Sequence, residues 1–387
     1  MKQRILIFYD HFYPSYKAGG PTQSLVNLVR ELYEVYDFYV VCKPHEMGDV
    51  GLLNGITADH WNEWEGRAKV FYWHYSWSTK NTLQKLIKDI SPDAVYVNGL
   101  YSLYFNFLPL YYAKQLKSEL GQLTIVLSAR GMLHPGALSQ KAIKKKIYLL
   151  LFRLLGIPEM VTWHATDDNE RNFIKLTMGD KMRITVAANF PNLQPISARP
   201  HKQPGKLLLG TIALISPMKN HLEVLRSLTK AKGSIEWHIF GPVKDDTYWK
   251  NCEAMIQQLP SNIKVIYHGE LPPHLLTKAM EQFQVFIMPS KSENFGHAIV
   301  EALSAGKPVI TTTTTPFADL EVFGCGFAIT PEKLSEGLQE AIGKFAAMDE
   351  SEFNNVAAST QKYIDQKIEK SSLKKAYYSL FNNRAHL

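Results

Sequence analysis

Cysteine is scarce: Cys42, Cys252 and Cys325 are the only three in 387 residues. They stand far apart, make no metal-ligand spacing and cannot staple a small secreted domain. Scarcity of that kind fits a reducing compartment, and a cytoplasmic protein is expected. No apolar run approaches the roughly 18 residues that a membrane-spanning helix needs. Internal repeats and low-complexity tracts are lacking too, apart from the threonines 311 to 315. The apolar stretch Ile5 to Tyr9 is short and Asp10 ends it, so it reads as a first strand rather than a leader.

What is present is the make-up of a globular protein. Hydrophobic residues reach 45% and charged residues 20%, a balance that excludes wholesale disorder. A chain of 387 residues exceeds one ordinary core, so two domains are expected. The formal charge of +7 favours anionic partners: sugar nucleotides, a membrane surface or nucleic acid. The basic residues are dispersed and no nucleic-acid module is recognisable, so no nucleic-acid partner is expected.

The most informative stretch runs from Val285 to Ile310. Val285 to Met288 is a buried-strand run, ended by Pro289 and Ser290. Asn294-Phe295-Gly296 is a turn whose glycine lets backbone approach a ligand. From His297 the period is helical, with Ile299, Val300, Ala302 and Leu303 on one face, until Gly306 and Pro308 stop it. Glu293 thus sits at the carboxyl end of a strand, where ligands bind in open α/β sheets, and Glu301 on the following helix. The helix N-terminus beside Gly296 suits a phosphate. Sugar and ribose hydroxyls both want carboxylate acceptors. By spacing alone, a solvated helix glutamate and a loop acid serve equally well.

This stretch closely resembles the signature of the retaining glycosyltransferases of family four, in which two glutamates flank seven residues and Asn-Phe-Gly follows the first. The resemblance implies an α/β chain of GT-B architecture, two Rossmann-like domains facing across a cleft. It implies that Glu293 contacts the donor sugar, that Asn294, Phe295 and Gly296 line the donor, and that Glu301 holds the ribose. Gly19 and Gly20, in the loop between the first strand and its helix, then lie near donor phosphate or acceptor. Lys219 matches the lysine that clamps the diphosphate, whereas Leu214 stands where an arginine is usual. Arg130 stands before Gly131 where a histidine is common, and either shares the departing diphosphate with Lys219 or forms a structural salt bridge; His134 is a second candidate or a plain loop histidine. No metal and no cofactor are implied. The partners implied are a nucleotide-diphosphate sugar donor and a saccharide or lipid-linked saccharide acceptor.

The expected divisions are residues 1–191 as the acceptor-side domain, 192–206 as a Pro-rich linker, 207–365 as the donor domain, and 366–387 as a helix crossing back. Pro21 fits a helix entry, with Thr22 or Ser24 as its cap. The aromatic run holding Trp61, Trp64, Phe71, Tyr72, Trp73, Tyr75 and Trp77 is either core or an acceptor platform. The stretch Lys141 to Leu155 begins basic and ends apolar. It is either a core helix with a solvated start or an amphipathic helix lying on an anionic membrane. Two rival functions share the fold or the ligand: a sugar-nucleotide epimerase, and a degenerate protein that only binds a sugar nucleotide.

Overall fold

The computed structural model describes residues 2–117, 119, 123–139 and 141–382. The chain divides into two compact units, Met1–Phe190 with Lys370–Leu387, and Pro191–Glu369. The last residues of the tail read as helical, 383–387, lie outside the described residues.

In the first unit β1 (Gln3–Phe8), β2 (Tyr36–Cys42), β3 (Trp61–Trp64), β4 (Ala68–Tyr72), β5 (Ala94–Asn98), β6 (Thr124–Ser128), β7 (Thr162–Ala165) and β8 (Ile184–Val186) form one sheet. Its order is β3-β4-β2-β1-β5-β6-β7-β8. Only β3 runs antiparallel to its neighbour. A parallel strand covered on both faces must be apolar throughout, and Ile5, Leu6, Ile7 and Phe8 are all fully buried. Successive residues point to opposite faces: Leu6 and Phe8 join one core cluster, Ile5 and Ile7 the other.

The second unit carries β9 (Lys206–Ile212), β10 (Ser234–Phe240), β11 (Ile263–Tyr267), β12 (Val285–Ile287), β13 (Val309–Thr312) and β14 (Gly326–Ile329). Their order is β11-β10-β9-β12-β13-β14, with every pairing parallel. Each sheet has one place where the chain reverses its direction of winding, between β1 and β5 and between β9 and β12. Loops at the carboxyl ends of those strands diverge and leave room for a ligand.

The segment after Phe190 has no regular structure until β9, yet it is anchored to the second unit. Gln194 donates its N–H to Ser304 Oγ at 2.9 Å. Lys202 is fully buried, and its ammonium donates to the carbonyls of Gln203, Lys206, Ala346 and Met348. Four carbonyl acceptors replace the water that a buried ammonium would otherwise lose. The final helix, Lys370–Phe381, belongs to the first unit. Its Tyr377 stacks on Phe190 with ring centres 4.9 Å apart, and Lys370 pairs with Glu31 at 2.6 Å.

Two expectations change. The first helix spans Gly20–Leu32, so its N-cap is Gly19 and neither Thr22 nor Ser24 caps it. Ser24 instead donates its hydroxyl back to the Gly20 carbonyl at 2.9 Å. The aromatic run is mainly core: Trp64, Phe71, Tyr72 and Trp73 are buried, while Trp61 and Trp77 are exposed.

Candidate functional site

In the second unit the loops after β9 and β12 are tied together at the point where winding reverses. Lys291 donates its backbone N–H to the Met218 carbonyl at 2.8 Å, and the Asn220 side chain donates to the Pro289 carbonyl at 2.8 Å. Across this junction the Lys219 ammonium meets the Glu293 carboxylate, both largely buried. The structure thus brings Lys219 and Glu293 together. Beside them His221 is buried against Trp237, and burial, with the Lys219 charge adding to it, pushes its imidazole down to about 4. It stays neutral, which leaves Lys219 as the cation of that loop.

Three residues beyond Glu293, Gly296 caps the helix His297–Ser304 with φ of 74°. A side chain is excluded there on two counts. The left-handed conformation disfavours one, and a Cβ would lie 2.9 Å from the Phe317 ring. The helix N-terminus therefore stands at the strand ends with a glycine, not a side chain, as its cap. Phe295 rests against His297, ring centres 4.6 Å apart, and Asn294 lies on the same loop. One turn into the helix Glu301 is buried, and its carboxylate accepts from the Asn192 side chain at 3.0 Å. Burial pushes this carboxyl up to about 7, against a lowering by the Asn192 bond. A carboxylate held in that state gains from any hydroxyl that donates to it.

In the first unit the loop carrying Gly19 and Gly20 is braced by a residue that sequence reading passed over. The Glu46 carboxylate accepts from Ser15 Oγ at 2.7 Å, from Tyr16 N at 2.9 Å and from Lys17 N at 3.2 Å. Asp10, just past β1, pairs with Lys43 at 2.6 Å and accepts from Ser102 Oγ at 3.2 Å, joining the ends of β1, β2 and β5. An acid directly after a first strand is the one local signal that could have marked Asp10. Glu46 offered none, because the groups of this loop that donate to it are 29 to 31 residues away.

Arg130 is held within its own unit. Its Nε donates to Asn98 Oδ1 at 2.9 Å, Nη1 to Asn189 Oδ1 at 2.5 Å, and Nη2 to the Tyr96 hydroxyl at 2.9 Å. Tyr96 then donates to His164 Nδ1 at 2.7 Å, because His164 Nε2 must donate to the Ala187 carbonyl, also at 2.7 Å. Burial, reinforced by Arg130, lowers His164 to about 3, so the imidazole stays neutral and can accept. The Arg130 turn is further fixed by Glu170, which accepts the Gly131 N–H at 2.6 Å. His134 is exposed; its ring lies against Phe173, and its Nδ1 accepts from Gly136 N at 3.0 Å.

A network of this kind predicts that Arg130→Ala destabilises the protein by on the order of 3 kcal/mol, since charged hydrogen bonds are lost and buried acceptors left short. Tyr96→Phe, which breaks both the arginine and the histidine links, should lose about half as much. Urea unfolding measures both. Unchanged stability with turnover down a hundredfold would assign Arg130 to the leaving group instead.

With this geometry in view, comparison with known proteins is decisive for the second unit. Residues 194–362 match the family model described as glycosyl transferases group 1. That stretch is a group 1 glycosyl transferase domain. The chain is 27% identical to the Arabidopsis thaliana sulfoquinovosyl transferase SQD2 over 216 residues, which are 52% of this chain and 38% of that protein. It therefore spans well under half of that relative's length. It is 22% identical to the Xanthomonas oryzae GDP-mannose:cellobiosyl-diphosphopolyprenol alpha-mannosyltransferase over 372 residues, covering 92% of this chain and 90% of that one. The Anabaena protein HepE, solved in complex with UDP-glucose, superposes with a TM-score of 0.67 at 16% identity, covering 98% and 99% of the two chains. The fold is GT-B. Lys219, Glu293, Gly296 and Glu301 all fall inside the group 1 domain, and Leu214 occupies its first loop without any charge.

Proposed function

We propose that this protein is a retaining glycosyltransferase. It moves a sugar from a nucleotide-diphosphate donor to a hydroxyl of a saccharide or lipid-linked saccharide, in surface polysaccharide or glycolipid assembly. The observation that carries this reading is the Lys219–Glu293 contact beside the Gly296 helix N-terminus, where the winding of a group 1 domain reverses.

On this reading the diphosphate lies against the helix N-terminus and draws Lys219 away from Glu293. Glu293, released, accepts hydroxyls of the donor sugar and sets the anomeric carbon toward the acceptor. As the bond to the diphosphate breaks and the bond to the acceptor oxygen forms, negative charge grows on the leaving group, which takes up the proton that the acceptor hydroxyl loses. Lys219 then holds it more tightly than in the ground state. Glu301 takes the ribose hydroxyls, and Asn294 and Phe295 line the donor. Gly19 and Gly20 are proposed to lie near donor phosphate or acceptor. Arg130 serves first to fix the ends of β5, β6 and β8. The lipid acceptor named for the Xanthomonas relative and the UDP-glucose of the Anabaena structure support these substrate classes. Catalysis without metal or cofactor is part of the proposal.

Thermal melting with UDP-, GDP- and ADP-sugars is the first test. One nucleotide class should raise the melting temperature, because a ligand at a hundred times its Kd adds about 2.7 kcal/mol to the native state. No rise with any member of the panel would overturn the reading.

A further inference from the structure

The helix Ala142–Leu154 does not turn its apolar half inward. Leu149 and Phe152 are buried, but Ile143, Ile147, Leu150, Leu151 and Leu154 are exposed, from 51% at Leu151 to 76% at Ile143. At 3.6 residues per turn these five positions share an arc of about 100° on the solvent side. Lys144 borders that arc on one side, and Lys146 and Arg153 on the other. A core helix would bury such a stripe, so the core reading of this stretch is corrected: its buried side is narrow and its widest apolar face is open.

The surroundings add to the pattern. A groove of about 340 Å³ runs beside the helix, lined by Leu138, Leu149 and Leu150 and rimmed by Lys145, Lys146 and Arg153. Leu176, next to the Thr177 that closes the groove, is also exposed. Residues 120–158 contain no aspartate or glutamate at all. Among the described residues, no helix is long and apolar enough to cross a membrane.

We propose that this face is a docking surface for an anionic lipid bilayer, with the helix lying in the interface plane. The charge pattern selects the occupant. A protein partner would bury a leucine stripe without needing cations on both borders, whereas an interfacial helix sinks its apolar side chains among acyl chains and lets flanking lysines reach the phosphates. The absence of acids over this stretch removes the repulsion that an anionic surface would otherwise meet. The groove beside it lets acyl chains follow the apolar surface past the helix.

Vesicle flotation of the full chain tests this without any sugar nucleotide, so its outcome is separate from that of the donor chemistry. Wild-type protein should float with phosphatidylcholine vesicles containing phosphatidylglycerol, far less with phosphatidylcholine alone, and less again in high salt. The double variant Leu150→Ser, Leu154→Ser should lose about a hundredfold in partitioning, roughly tenfold for each exposed leucine withdrawn from lipid. The double variant Lys144→Gln, Lys146→Gln should lose about twenty- to thirtyfold, near fivefold per lysine. All four side chains are exposed, so both variants should melt like wild type. Equal recovery with neutral and anionic vesicles, or wild-type flotation by either variant, would overturn the proposal. So would a dimer in light scattering that the leucine variant dissociates, which would show a second copy to be the occupant.

Discussion

Glu301→Gln should stabilise the ligand-free protein at pH 8 and leave it almost unchanged at pH 5. Burial raises the folded-state carboxyl to about 7 from an ordinary value of 4.5. A group raised in the folded state contributes stability that is fully present below the unfolded value, near pH 4.5. That contribution is lost as pH rises through about 7. Above that point the wild-type protein carries a buried carboxylate with one amide donor, Asn192, for compensation. Glutamine keeps an oxygen for Asn192 and carries no charge. At one unit per 1.36 kcal/mol, the gain in the variant should be on the order of 3 kcal/mol at pH 8. Nucleotide binding should move the other way. Hydroxyls that donate to the carboxylate favour its charged form, so wild-type affinity should rise from pH 5.5 to 8. The variant should bind about ten- to a hundredfold more weakly at pH 8, with a flat profile. Melting curves and titration calorimetry across that range decide it. A wild-type protein no less stable than Glu301→Gln at pH 8 would mean the carboxylate is paired or solvated after all.

Lys219→Ala should lower turnover by about a hundred- to a thousandfold, with a smaller loss of donor affinity. On the proposed reading the charge acts mainly as the diphosphate departs, and Leu214 supplies no second cation in the same loop. Glu293→Gln should also reduce turnover more than affinity, because it frees Lys219 for the diphosphate while removing the sugar's acceptor. Leu214→Arg in the Lys219→Ala background should restore part of the lost rate, since a guanidinium offers phosphate a planar fork. Steady-state kinetics on the donor found by melting supply the readout. Equal losses in kcat/KM and affinity for Lys219→Ala would place the lysine in ground-state binding only.

Much of the second unit was legible because its signals are local. Glu293, Gly296 and Glu301 follow one strand within a single strand–loop–helix run, and the neighbouring β9 loop adds Lys219 against Glu293. The first unit was less legible for the opposite reason. Arg130 takes partners 32 to 59 residues away, so nothing near it in the chain shows that its guanidinium is engaged. The buried Lys202 sits in a stretch whose prolines and polar residues read as a loose linker. Only folding brings Ala346 and Met348 to it. For the helix Ala142–Leu154, the sequence shows a basic start and an apolar end, but which side faces the core depends on Tyr101, Trp163 and other residues distant in sequence. The first helix begins ahead of both cap candidates, Thr22 and Ser24, because Gly19 adopts φ of 78° and caps it without a side chain.

The most direct measurement follows a donor labelled in its sugar, using the nucleotide class selected by melting and a membrane extract as the source of acceptors. The account predicts that label passes to a saccharide or lipid-linked product, that one nucleoside diphosphate is released per sugar moved, and that the new linkage keeps the donor's anomeric configuration by NMR. Label returned as an epimerised sugar nucleotide, or donor bound but never consumed, would contradict it.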